Sequence, residues 1–195
     1  MKASQEFIKD ISDDNKDLLL LLKETAGMVS YYRKLLEKME LDALTGLSGS
    51  SKFHDCIGSF NNNAEGVGVI YFDVNDLKYY NDNMGHKAGD MLLQKSAESL
   101  IFISGGDIRA FRTGGDEFVV ITVNQSLDDI RDLVDKWRNN LDELNSRDDG
   151  IFCSISVGFA LGCKDDLMDD ILKSADELMY QDKLRIKAAK GEKPR

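Results

Sequence analysis

The chain has 195 residues, 42% of them hydrophobic and 31% charged, which is the balance of a globular domain of ordinary size with an extension. A formal net charge of −10 argues against a general nucleic-acid-binding surface. Cys56, Cys153 and Cys163 form neither a paired framework nor a metal-ligand spacing, and they fit a reducing cytoplasmic compartment.

Residues 1–41 read as a helical stem. Phe7, Ile11, Asp14, Leu18, Leu21, Thr25, Met28, Tyr32, Leu35 and Met39 step by fours and threes, the spacing of a coiled-coil seam, which Asp14, Thr25 and the nearby Gly27 weaken. An amphipathic helix packed on its own domain explains the same pattern equally well. The run Leu18–Leu22 is far too short to span a bilayer and has charges on both sides, so neither a membrane segment nor a signal peptide is expected. An upstream sensor or a partner protein is compatible with such a stem.

Leu41–Leu47 turns the chain into the main domain, Ser48–Ser51 is a loop signal, Lys52–Phe60 predicts a short helix, and Asn61–Gly66 is a turn-rich break. Val67–Phe72 reads as a buried strand that ends in Asp73-Val74-Asn75-Asp76, with Lys78, Asn81, Asp82, His86 and Asp90 close behind. Carboxylates at a strand end suit a hard cation, because Mg²⁺ takes oxygen ligands and keeps positions open for substrate phosphates. A helix is expected over residues 75–83, a break at Gly85 and a second helix over 88–103. His86 is read as a helix-start hydrogen-bonding residue rather than a ligand or base. Asn81 and Asp90 are better candidates, since an amide and a carboxylate together can read a guanine edge.

Asp107–Arg112 alternates apolar and polar residues and Phe118–Val123 is a β-branched run, a hairpin pattern with Gly114-Gly115 as its two-residue turn. Glycine at both turn positions permits positive φ and lets an anionic group approach the amides. Asp116 and Glu117 follow at once, and strand alternation sends them to opposite faces, so at most one easily joins a given metal cluster. Alone, a Gly-Gly turn followed by acids is usually a solvated hairpin; beside the carboxylate-bearing end of the first strand, Asp73 and Asp116 become a pair able to share one metal. Asp128–Leu144 is an amphipathic helix with Ile130, Leu133, Val134, Trp137 and Leu141 on its core face. Ile151–Leu161 supplies another strand and Leu167–Lys187 a last helix. Lys183–Arg195 carries six basic residues against one acid, by default a solvated tail. The order of elements predicts an α+β, palm-like domain with a mostly antiparallel central sheet covered by helices.

Phe72–Asp90 and the run Arg112-Thr-Gly-Gly-Asp-Glu-Phe118 resemble the GGDEF family of diguanylate cyclases. Asp42–Leu47 resembles its opening motif, and Ser154–Gly158 and Ala175–Tyr180 resemble its later ones. The resemblance implies a GGDEF domain of the nucleotidyl-cyclase type over 42–190, which leaves the stem at 1–41 and a basic tail at 191–195. It implies condensation of two GTP into cyclic di-GMP and two pyrophosphates by an antiparallel homodimer. Asp73, Asp116 and the Val74 carbonyl would hold Mg²⁺ or Mn²⁺. Asp116 would also assist proton removal, Lys78 would stabilise phosphate charge, and Glu117 would serve as a metal-binding or supporting group. Asn81 and Asp90 fall at the guanine-reading positions, Gly114 and Gly115 beside the nucleotide, and Lys183 and Lys187 at phosphate positions, with Arg185 a third candidate.

Departures from the family pattern are Gly49-Ser50 for Asn-Arg, Asn75 for a common second Asp, Leu77 for Phe, and Ile186-Lys187-Ala188 for Gly-Arg-Asn. Ser104-Gly-Gly-Asp107 lacks the arginine of the family's product-inhibition motif, so strong product feedback is not expected. The alternative to an active cyclase is a catalytically weak or inactive module that binds GTP and serves in regulation or dimerisation. A less favoured third reading is a palm-type cyclase for another base.

Overall fold

The computed structural model describes residues 15–16, 18–32, 40–60, 65–163 and 165–191. The chain divides into two compact units, Met1–Glu40 and Leu41–Arg195. In the first, residues 18–32 are helical (α1), and Leu18 to Leu22, Met28, Val29, Tyr31 and Tyr32 are all exposed. The seam positions Phe7, Ile11, Asp14, Leu35 and Met39 lie outside the described residues, as do residues 61–64 of the turn-rich break and 192–195 of the basic tail. Among the described residues no helix is long and apolar enough to cross a membrane.

The second unit runs α2 (Ser50–Gly58), β1 (Val67–Val74), α3 (Leu77–Met84), α4 (His86–Ile103), β2 (Ile108–Arg112), β3 (Glu117–Val123), α5 (Leu127–Asn145), β4 (Ile155–Leu161) and α6 (Met168–Ala189). The strands form one antiparallel sheet in the order β2-β3-β1-β4, the α+β architecture expected. β1 lies inside the sheet and is covered on both faces, which is why its sequence is a continuous apolar run rather than an alternating one.

Ile70, Phe72, Phe118 and Val120 point to one core with Leu92 and Leu100 of α4 and Ile130 and Trp137 of α5. The Phe72 and Trp137 rings meet edge-on with centroids 4.7 Å apart, and Trp137 Nε1 donates to Ser99 Oγ at 3.0 Å, so the buried indole loses no hydrogen bond. Val69, Val119 and Ile121 point the other way, to Phe53 of α2 and Ile171 and Ala175 of α6. Ser126 starts α5 with a reciprocal bond pair to Asp129.

Several boundaries differ from the sequence expectation by one to four residues, and for three starts the cause is visible in the backbone. α3 begins at Leu77 rather than residue 75 because Asp76 has φ of 65°, a left-handed conformation that a helix cannot include. α4 begins at His86, directly after Gly85 at φ 85°. β4 begins at Ile155 rather than Ile151, because side chains claim the preceding backbone. Asn145 brackets Cys153 by accepting from its N–H and donating to its carbonyl, both at 2.8 Å, and the buried Lys95 ammonium bonds Asp149 and the Ile151 carbonyl.

Candidate functional site

The β1–β3 register pairs Phe72 with Phe118 and Asp73 with Glu117. Alternation then puts Asp73 and Glu117 on the α6 side of the sheet while the two phenylalanines enter the opposite core. Asp116 sits just outside β3, where its carbonyl accepts from the Val74 N–H at 2.9 Å. Three carboxylates therefore gather at one end of the β1–β3 pair. The direct cross-strand partner of Asp73 is Glu117, whereas the sequence pointed to Asp116.

The electrostatics follow from this crowding. Burial pushes the Asp73 carboxyl above its ordinary value, Lys183 pulls it back without cancelling the effect, and Asp116 adds to the rise. Glu117 is raised as well, first by burial and then by Asp116, Asp73 and Asp176. The Lys183 ammonium lies 2.8 Å from Asp73 Oδ2 and 2.6 Å from Oδ1. Oδ1 is buried yet accepts no well-directed hydrogen bond. A buried carboxylate whose cationic neighbour is an exchangeable lysine, beside further carboxylates, is an oxygen donor set that fits a hard cation. Among the described residues, no three His, Cys, Asp or Glu side chains converge closely enough to hold a metal alone. Mg²⁺ ordinarily takes one or two carboxylates and completes its shell with water and substrate oxygens, so a full set of three protein ligands is not required.

The glycine loop is wider than a two-residue turn. Thr113 N–H bonds the Glu117 carbonyl at 3.1 Å, enclosing Gly114, Gly115 and Asp116, and neither glycine has positive φ. A Cβ at Gly114 would stand 2.8 Å from Glu117 Oε2, the end of an exposed side chain that can swing aside, and Gly115 faces open solvent. Arg112 fixes the loop from behind, with Nη1 donating to Asp42 Oδ1 at 2.9 Å and Nη2 to the Gly115 carbonyl at 2.7 Å. Asp42 also accepts from the N–H and hydroxyl of Thr45, at 2.9 and 2.6 Å. Burial alone would raise the Asp42 carboxyl, but the Thr45 and Arg112 bonds outweigh it and hold the group below its ordinary value. This Asp42–Arg112 tie was absent from the candidate list drawn from sequence; its one local signal is an Asp three residues before a Thr, a turn-capping spacing.

A cleft of about 470 Å³ opens beside the carboxylates, between the chain from Val74 to Tyr79 on one wall and, on the other, Lys183 and Lys187 of α6 with Lys190 capping its end. Lys78 and Asp116 also line it. Lys190 is a further addition to the sequence-derived candidates, and its Nζ lies 2.6 Å from Asp76 Oδ2. Asn81 and Asp90 stand outside this lining, on the α3–α4 hairpin. Asn81 packs directly over Gly89, where a Cβ would meet its Oδ1 at 2.1 Å, and that Oδ1 lies 3.3 Å from His86 Nδ1, consistent with a helix-start role for the histidine. Asp90 follows Gly89 and is exposed. Arg185 is turned away from the cleft, paired with Asp182 at 2.6 Å. Asn75 is buried, its amide exchanging hydrogen bonds with Ser156 Oγ at 3.0 and 3.2 Å and donating to Ser154 Oγ at 3.3 Å, so its side chain is committed to the fold.

Comparison with known proteins agrees with this architecture. The family model for the diguanylate cyclase GGDEF domain matches residues 39–188. Diguanylate cyclase VdcA of Vibrio cholerae is 27% identical over 184 residues, covering 90% of this chain and 54% of VdcA. Diguanylate cyclase DgcN of Escherichia coli is 28% identical over 156 residues, covering 77% of this chain and 38% of DgcN. The chain thus spans about half or less of these relatives. Among solved structures, the coiled coil and GGDEF domain of DgcB from Caulobacter crescentus, in complex with c-di-GMP, superposes with a TM-score of 0.68 at 20% identity, covering 85% of this chain and 94% of that one. With the family model spanning almost the whole second unit, the chain belongs to the GGDEF diguanylate cyclase domain family.

Proposed function

We propose that the chain is a diguanylate cyclase that works as an antiparallel homodimer, each copy holding one GTP. Attack of each ribose 3′-hydroxyl on the α-phosphorus of the facing nucleotide releases pyrophosphate, and two such steps close cyclic di-GMP. The observation that carries this reading is the gathering of Asp73, Asp116 and Glu117 at the edge of a cleft walled by lysines.

In this reading Asp73, Asp116 and the Val74 carbonyl hold Mg²⁺ or Mn²⁺, which supplies charge neutralisation at the phosphate oxygens. Asp116 also assists removal of the hydroxyl proton. Lys78, Lys183 and Lys187 bind phosphate oxygens, and Lys183 exchanges Asp73 for them. Glu117 supports the same anionic cluster, and Gly114 and Gly115 keep side chains clear of the nucleotide. Asn81 and Asp90 hydrogen-bond the guanine edge, with the carboxylate accepting from its N–H donors. A helical stem pairs two chains and so raises the effective concentration of the second half-site.

Purified protein incubated with GTP and Mg²⁺ or Mn²⁺, followed by chromatography for cyclic di-GMP, tests the proposal. We expect product from the parent chain and a loss of at least ~100-fold in Asp116→Ala. A second reading, a catalytically weak GTP-binding module, is favoured by the Lys183 ammonium lying against both Asp73 oxygens and by a neutral Asn75 committed to Ser156. Bound GTP and a demonstrable dimer without product would select it.

A further inference from the structure

We propose that Lys190 is a further substrate-binding residue, held by Asp76 in the free protein and released to the polyphosphate of a bound nucleotide. The assignment rests on the GTP-binding reading above and adds a residue to it. Lys183, Lys187 and Lys190 follow one another at helical spacing, and all three line the cleft, so α6 presents a row of ammonium groups along one wall. A lysine at the end of a helix ordinarily serves that helix's own terminal carbonyls. Lys190 instead crosses to the opposite wall, where its Nζ meets Asp76 Oδ2 at 2.6 Å.

Asp76 has the position of a helix N-cap but makes no side-chain cap bond to α3. Its carboxylate is turned to the cleft and to Lys190. The two side chains are 36% and 37% exposed, a setting in which an ion pair is weak and readily exchanged. A triphosphate entering between the walls brings several anionic oxygens against one carboxylate, and charge-assisted bonds to phosphate draw the lysine across. The unbroken helix through Ala188 and Ala189 is what carries Lys190 to this position. In the family pattern the stretch at 186–188 reads Gly-Arg-Asn, whose glycine would weaken the last turns of the helix.

Binding of GTP, GMP and pyrophosphate to the full chain, with Mg²⁺ present, tests the assignment by calorimetry on Lys190→Gln and Asp76→Asn. Asparagine tolerates the left-handed backbone at position 76 about as well as aspartate, so Asp76→Asn removes the competitor without a new backbone strain. We expect Lys190→Gln to weaken GTP and pyrophosphate by ~3- to 10-fold and leave GMP unchanged. Asp76→Asn should tighten GTP and pyrophosphate by ~2- to 3-fold. If the parent binds GTP and neither variant changes the ratio of GTP to GMP affinity, the pair is only structural and the assignment falls while GTP binding stands. If the parent fails to bind GTP but Lys190→Gln still weakens pyrophosphate, the guanosine-nucleotide reading falls and the phosphate role of Lys190 stands. Binding of none of the three overturns both.

Discussion

Asp73 sets stability against its proposed metal-binding role at the scale of one side chain. It is 6% exposed, and burial with Asp116 nearby raises its carboxyl despite Lys183. A carboxyl with a raised folded-state value binds protons more tightly folded than unfolded. Its ionisation therefore costs stability as pH climbs from the usual 3.8 through the folded value, and that cost persists at neutral pH. Asp73→Asn removes the ionisation and leaves Lys183, which reaches solvent, to be hydrated. We expect the variant to melt about 2–4 °C higher than the parent at pH 7. The gap should close below pH 3.8, where both forms are neutral. Cyclase activity should be lost over the whole range. Melting curves across pH check the sign, and a variant less stable at pH 7 would mean that the Lys183 pair outweighs burial.

At the scale of elements, the cleft depends on how closely α6 lies on β4. A Cβ at Gly158 would stand 2.0 Å from the Met179 nitrogen and 2.4 Å from the Ala175 carbonyl oxygen. Both are backbone atoms that cannot swing aside, so Gly158→Ala must push the helix off the strand. We expect a loss of about 2–4 kcal/mol in stability, read by denaturant unfolding, together with weakened GTP binding, because α6 carries Lys183, Lys187 and Lys190.

The elements themselves were legible in the sequence: β1 as a continuous apolar run, α5 as an amphipathic helix, the β2–β3 hairpin as two strand patterns around glycines. What escaped is set by partners distant along the chain. Residues 151–154 have strand composition, but Asn145 and Lys95 claim their backbone first. The pairing of Asp73 with Glu117 is a property of register between two strands, which neither strand encodes alone. Asp73, Asp116, Lys183 and Lys187 could be singled out because they sit in recognisable motifs. Lys190 could not, because its place in the cleft depends on α6 continuing past residue 187.

At the scale of the whole molecule, the site in one chain is half of what the proposed reaction needs. Leu41–Arg195 is a compact unit that contains both apolar cores and every candidate site residue. Two such units must still meet, and each full chain carries a net charge of −10, so encounter is opposed by long-range repulsion at low salt. Residues 18–32 offer a counterweight, a helix whose five consecutive leucines, Leu18 to Leu22, and two tyrosines are more than half exposed. Burying part of that surface in a helix pair would hold two chains together and convert a bimolecular encounter into a local one. A chain starting at Leu41 is therefore expected to keep its melting temperature and GTP affinity. Its cyclase activity per chain should fall steeply on dilution, by about 100-fold at protein concentrations where the full chain is still dimeric, and should recover as concentration or salt is raised. Activity and sedimentation measured over the same dilution series decide the matter. Full activity of the shortened chain at low concentration would remove the stem from control of the dimer and leave the GGDEF unit to associate by its own surface.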